Sequence, residues 1–215
     1  MRLFVAVSIP DVVAGELEAA VEPFRDAWPG LRWTRREAWH LTLAFLGEVN
    51  GAVLDRLMMR LERAAGRHPS LSLALAGAGA FPGAARARVL WTGVHGDRRA
   101  LGALAASVAA GARRAGVPPA EEGRRYQPHL TLARCRAPVD ASALVSGLSG
   151  YAGTPWTAER IYLIRSHLPG RPGDPAAGSA QPRHETLASW PLRVPAVPAP
   201  SRDPGRGDPG IGCEL

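Results

Sequence analysis

The segment His40-Leu41-Thr42-Leu43-Ala44 recurs, letter for letter, as His129-Leu130-Thr131-Leu132-Ala133, with the two histidines 89 residues apart. Read as β-strands, both copies alternate their side chains between two faces. The leucines of each copy then point into a core. The His and Thr share the opposite face, about 7 Å apart along the strand. Taken alone, a histidine on a strand face is more often packed or solvated than catalytic, and Thr is a common strand former. Repetition of the whole unit with the same parity moves the reading toward function.

The surroundings of the two copies repeat as well. Residues 3–9 read as a buried strand ended by Pro10, and Asp11 is placed to cap a helix to about Asp26 with Val13, Leu17, Val21 and Phe24 on one face. A short extended piece at 31–33 leads to the first motif strand, 39–46, closed by Gly47. Asn50 starts a helix to about Ala65, and 71–75 reads as a strand before a Gly/Ala-rich bend. The pattern then returns: a strand at 88–94, an Ala-rich helix capped by Asp97 and running to about Ala115, and the second motif strand, 129–135. A short helix at 141–148 follows. Two strands, 158–166 and 185–194, flank a Pro/Gly-rich hairpin loop at 168–182.

Strand, helix, loop and strand thus occur once over 3–46 and again over 89–134, with Leu3 and Leu90 lying 87 residues apart. This predicts an internal duplication: two lobes of mainly antiparallel sheet with outer helices, facing each other across a central cleft about a pseudo-two-fold axis. Residues 1–194 are expected to form this single bilobal α+β domain. Residues 195–215 are Pro, Gly, Asp and Arg with little to bury, and read as a disordered tail.

The chain has 215 residues, 46% of them hydrophobic and 21% charged, as in ordinary globular proteins. Its net charge of +7 is carried by arginine and favours polyanionic partners, although GC-rich coding gives the same bias. Two cysteines, Cys135 and Cys213, stand in no metal or redox spacing, which suits a reducing cytosol. The apolar start is too brief for a signal peptide, and no run approaches bilayer length. The expectation is a cytoplasmic protein with no membrane partner, monomeric by default.

Two imidazoles across a cleft supply what cleavage of a phosphodiester requires. One takes a proton from attacking water while the other protonates the departing oxygen, and an ordinary His pKa near 6.5 makes both states available. The threonine hydroxyls are placed to donate to non-bridging oxygens. No metal or cofactor is needed, and no Cys, Asp or third His lies at ligand spacing near either motif. The remaining histidines, His68, His95, His167 and His184, lack a partner Thr and are expected to be solvated.

These features resemble the 2H phosphoesterases, whose signature is two HxT motifs on strands of a duplicated fold, and within them the LigT-like RNA 2',3'-cyclic phosphodiesterase (2'-5' RNA ligase) family. The resemblance rests on Arg2 through Val7, HLTLAFLGE (40–48), VLWTGV (89–94), PHLTLAR (128–134), Ile161-Tyr162-Leu163 with Ser166-His167-Leu168, and Trp190-Pro191-Leu192, and so covers about residues 2–193. It implies His40 as proton donor, His129 as proton acceptor, and Thr42 and Thr131 as phosphate ligands. The implied substrate is an RNA end bearing a 2',3'-cyclic phosphate, opened to a 2'-phosphate, with 2'-5' ligation as the possible reverse reaction. It also implies that Phe45 and Arg134, each five residues after its His, flank the terminal base, and that Tyr126 lines the same cleft. Strict alternation would place Phe45 and Arg134 on the face opposite the His, so a bulge or strand end must turn them inward. Where the family often carries Tyr near the last strand, this chain has Arg183-His184-Glu185. Alternatives are a relative acting on another cyclic phosphate, such as ADP-ribose 1'',2''-cyclic phosphate, and a non-catalytic RNA-end binder.

Overall fold

The computed structural model describes residues 1–120, 123, 125–168 and 182–194. The apolar run after Arg2 forms strand β1 (Arg2–Ser8), buried along Leu3–Val7 on both faces. Such a run belongs in the middle of a sheet, and β1 pairs antiparallel with β3 (His40–Glu48) on one side and β8 (Arg160–His167) on the other. β9 (Arg183–Pro191) completes this sheet, in the order β3-β1-β8-β9. The second sheet runs β2-β6-β5-β4-β7, made of β2 (Arg32–Trp33), β6 (His129–Val139), β5 (Ala87–Gly96), β4 (Leu71–Phe81) and β7 (Trp156–Ala158). All named strand pairs are antiparallel. The two orders superpose as β3/β6, β1/β5, β8/β4 and β9/β7, which is the pseudo-symmetry that the repeated motif predicts.

Among the described residues, four α-helices, α1 (Asp11–Ala27), α2 (Leu54–Ala65), α3 (Arg98–Arg114) and α4 (Ser142–Leu148), complete the α+β fold. They pair across the lobes: α1 packs on α4, and α2 on α3. Phe24 of α1 lies so close to Gly147 of α4 that a Cβ there would sit 2.7 Å from the Phe ring. The motif leucines Leu41, Leu43, Leu130 and Leu132 are buried in one apolar cluster that runs through both lobes. Among the described residues, no helix is long and apolar enough to cross a membrane.

Several local expectations change. Asp11 does not cap α1. Pro10 occupies the cap position, and the Asp11 carboxylate lies 3.4 Å from the Arg36 guanidinium. Asp97 sits at the cap position of α3, but its Oδ2 accepts the backbone N–H of Ser72 at 2.8 Å instead. Asn50 caps a 3₁₀ turn (Gly51–Val53) ahead of α2. The Gly/Ala-rich bend after residue 75 is absent: β4 continues to Phe81, with Gly77 at φ +63° and a register shift between Ala76 and Ala78 absorbing the irregularity. The register also corrects the repeat length, because Val5 faces Ala44 while Leu90 faces Ala133. Leu90 is thus the counterpart of Val5, not of Leu3. Most of the predicted hairpin loop, and the whole predicted tail, lie outside the described residues.

Candidate active site

Each motif strand begins at its histidine. Pro128, which has no N–H to give a ladder, stands just before His129. His40 Nδ1 lies 2.8 Å from the carbonyl of Ala38, and His129 Nδ1 lies 2.7 Å from that of Gln127. A carbonyl only accepts, so Nδ1 carries the hydrogen in both rings. In each neutral histidine Nε2 is therefore the nitrogen without a hydrogen, with a lone pair able to accept a proton and, once charged, to donate one. The same two-residue lock operates in both lobes.

Thr42 and Thr131 follow on the same strand faces, half-buried, while the intervening leucines are buried. Both strands then carry the predicted bulge at the same place. Ala6 faces Thr42 but Val5 faces Ala44, leaving Leu43 as the extra residue; Trp91 faces Thr131 but Leu90 faces Ala133, leaving Leu132 extra. One inserted residue reverses the alternation. Two buried residues stand in succession, and Phe45 and Arg134 return to the His/Thr face.

The walls around the histidines differ. The His40 ring stacks on Phe4 at a centroid distance of 4.6 Å and meets the His184 ring edge-on at 5.3 Å. His129 meets Phe81 edge-on at 5.0 Å and lies 6.3 Å from Trp91. Desolvation beneath these rings, then the charge of His184 and more weakly those of His129 and Arg134, pull the His40 pKa down to about 4, against the opposing bond to Ala38. The action of His129 and Arg134 on His40 places both motifs in one electrostatic field. The exposed Arg134 has its own proton affinity lowered by desolvation and by Arg32 and Arg2; Arg32 lies directly opposite it on β2.

Tyr126 is half-buried, and its hydroxyl donates to the carbonyl of Thr42 at 3.0 Å, tying the segment before β6 to the first motif. Burial raises its pKa. The hydroxyl is thus a strut between the lobes. Phe4, Phe81, Trp91 and His184 escaped the sequence reading. The first three lie in apolar strands whose cleft-facing side is fixed only by register. His184 was expected to be solvated and instead sits against His40. His68 and His167 also depart from that expectation: His68 Nε2 lies 2.8 Å from Ser107 Oγ, and buried His167 lies 2.8 Å from the Glu185 carboxylate. His95 is exposed, as expected. Among the described residues, no three His, Cys, Asp or Glu side chains gather as metal ligands would.

A family model described as LigT like Phosphoesterase matches residues 7–91 and 94–173. An RNA 2',3'-cyclic phosphodiesterase of Geobacillus stearothermophilus is 31% identical over 167 residues, 76% of this chain and 48% of the relative. The chain therefore spans about half the length of that relative, and 54% of a relative of the same description from Thermotoga maritima. Among solved structures, TT0787 of Thermus thermophilus superposes with a TM-score of 0.68 at 29% identity, covering 91% of this chain and 100% of that one. E. coli LigT complexed with 3'-AMP gives 0.64 at 26% identity, covering 89% and 96%.

Proposed function

The chain belongs to the LigT-like phosphoesterase family, and from that premise we propose that it is a phosphodiesterase that opens 2',3'-cyclic phosphates at RNA ends to 2'-phosphates. The observation that carries the proposal is the pair of identically locked histidines, each with its hydrogen on Nδ1 and its lone pair on Nε2. In the forward reaction, His129 Nε2 takes a proton from water as it attacks phosphorus, and the O3'–P bond breaks. His40 delivers a proton to O3' from Nε2. The Thr42 and Thr131 hydroxyls donate to the non-bridging oxygens as charge gathers on them. Phe45 and Arg134 offer a ring and a guanidinium plane to the terminal base. The names of the relatives and the 3'-AMP held by E. coli LigT support a ribonucleotide substrate. With a 5'-hydroxyl attacking in place of water, the same two histidines would serve 2'-5' ligation.

The depressed pKa of His40 favours a second reading, in which His40 is the acceptor and His129 the donor. In the first reading, the anionic phosphate must raise the proton affinity of His40 on binding. A substrate with sulfur in place of O3' separates the two, because a thiolate leaves without a proton. That substrate should restore turnover to His40→Ala if His40 is the donor, and to His129→Ala if the roles are reversed.

The first experiment is turnover of an oligonucleotide ending in a 2',3'-cyclic phosphate, in the presence of EDTA, with the product assigned as 2'- or 3'-phosphate. The expected product is the 2'-phosphate, and His40→Ala and His129→Ala should each lower the rate by about 10²- to 10⁴-fold. Abolition by EDTA, or full activity in either variant, sinks the two-histidine mechanism.

A further inference from the structure

His40 is enclosed on three sides by groups from three elements. Its Nδ1–H is held by the Ala38 carbonyl, its face is covered by Phe4 of β1, and its edge meets His184 of β9. His184 also meets Phe4 edge-on at 5.1 Å, so the three rings form a closed triangle of contacts. The register explains how His184 arrives there. It faces Ser166 across β8, on the side of the sheet that carries Phe4 and Ile164, while Arg165, His167, Arg183 and Glu185 take the other side. On that other side the Glu185 carboxylate is engaged by His167 at 2.8 Å and by Arg165 at 3.9 Å. His184 is thereby separated from the acid beside it in sequence.

We propose that His184 is a positioning residue for His40: with Phe4 it fixes the ring so that Nε2 is the one nitrogen presented to the phosphate. The same neighbour disfavours a proton on His40 before the anion arrives. The charged groups acting on His40 are His184 and, from β6, His129 and Arg134, all of the same sign. On this face β1 offers Phe4, Ala6 and Ser8, with Arg2 at its start, whose charge acts on Arg134. Burial lowers the pKa of His184 as well, so both rings are held toward their neutral forms. A proton on one ring repels a proton on the other, and only a bound anion relieves both. In the second lobe, the rings described against His129 are those of Phe81 and Trp91, neither of which titrates.

This inference rests on the reading of His40 as an acid or base, and its test keeps the two apart. In the intact chain, the His40 imidazole is titrated by two-dimensional ¹H–¹⁵N spectroscopy in wild type, His184→Phe and His184→Ala. Turnover of the cyclic-phosphate oligonucleotide is measured alongside. Loss of the neighbouring charge should raise the His40 pKa in both variants by on the order of half a unit or more. His184→Ala should lower kcat roughly tenfold or more with KM nearly unchanged, as expected when ring orientation and not substrate contact is lost. His184→Phe keeps a ring against Phe4 and His40, and should recover most of kcat while retaining the shifted titration. An unchanged His40 titration in both variants overturns the proposal. So does a change confined to KM, which would make His184 a substrate contact. If wild type does not turn over the cyclic phosphate, the functional reading fails while the titration still decides the coupling of the two rings.

Discussion

The lobe that carries His40 and the lobe that carries His129 share a strand and differ in the wall behind it. Opposite Thr42 stands Ala6, with Tyr162 one strand further; opposite Thr131 stands Trp91, with Gly79 one strand further. Opposite Phe45 stand Phe4 and then Ile164; opposite Arg134 stand Val89 and then Phe81. Bulk has moved by one strand at both levels. The exchange is steric in origin: a Cβ on Gly79 would sit 2.2 Å from the Trp91 indole, so the large ring requires the small neighbour. What the two lobes hold in common is the lock on Nδ1, the Thr and the bulge. The freedom left to each wall is how it covers its histidine, and at His40 that cover disfavours the proton.

The most severe challenge to this symmetry is removal of one hydroxyl at a time. Thr42→Val and Thr131→Val should each lower kcat by about 10- to 10³-fold, the cost of an oxyanion donor. Losses that differ by more than tenfold would mean that the phosphate leans on one lobe. Next is the packing exchange. Gly79→Ala should cost about 1–3 kcal/mol in chemical denaturation, and Trp91→Ala in the same chain should return part of it; additive losses would contradict the contact.

Phe45→Ala and Arg134→Ala should each raise KM roughly tenfold and leave kcat within a few-fold, consistent with about 1–2 kcal/mol of base stacking. Unchanged KM in both removes the stacking role. The smallest effect is on stability against pH. His40 has its pKa lowered in the fold, from 6.5 to about 4, so the unfolded chain binds the proton first. Stability is therefore full above pH 6.5 and falls as the pH drops through 6.5 toward 4. His40→Gln should flatten that slope by on the order of 1 kcal/mol between pH 7 and 5 in urea titrations; an identical slope would show that His40 is not desolvated.

The repeat was legible because its unit is short, identical and periodic. Parity alone separated Leu41 and Leu130 from His40 and His129, and the need for a bulge followed from a five-residue offset. Strand pairing was not legible. Phe4 and Trp91 belong to apolar runs in which each residue looks equally buried, and only register tells which of them faces the motif strand. The helix caps failed for a related reason. Asp97 has the right chemistry and position and Asp11 stands one residue inside its helix, but the Ser72 N–H and Arg36, distant in sequence, take up their carboxylates. His184 was passed over because its partner lies 144 positions earlier in the chain.

The order of the strands in the first sheet has a consequence during synthesis. The second sheet has all its described strands by Ala158, whereas β1 waits for β8 before its second edge is covered, and β8 in turn waits for β9. On the ribosome, the lobe with His129 has every strand in hand while the lobe with His40 still exposes an unpaired apolar strand to solvent. The imidazole of His184 is the last contact of His40 to emerge. A chain cut short ahead of β9 would carry both histidines and both threonines, yet would lack one side of the enclosure around His40.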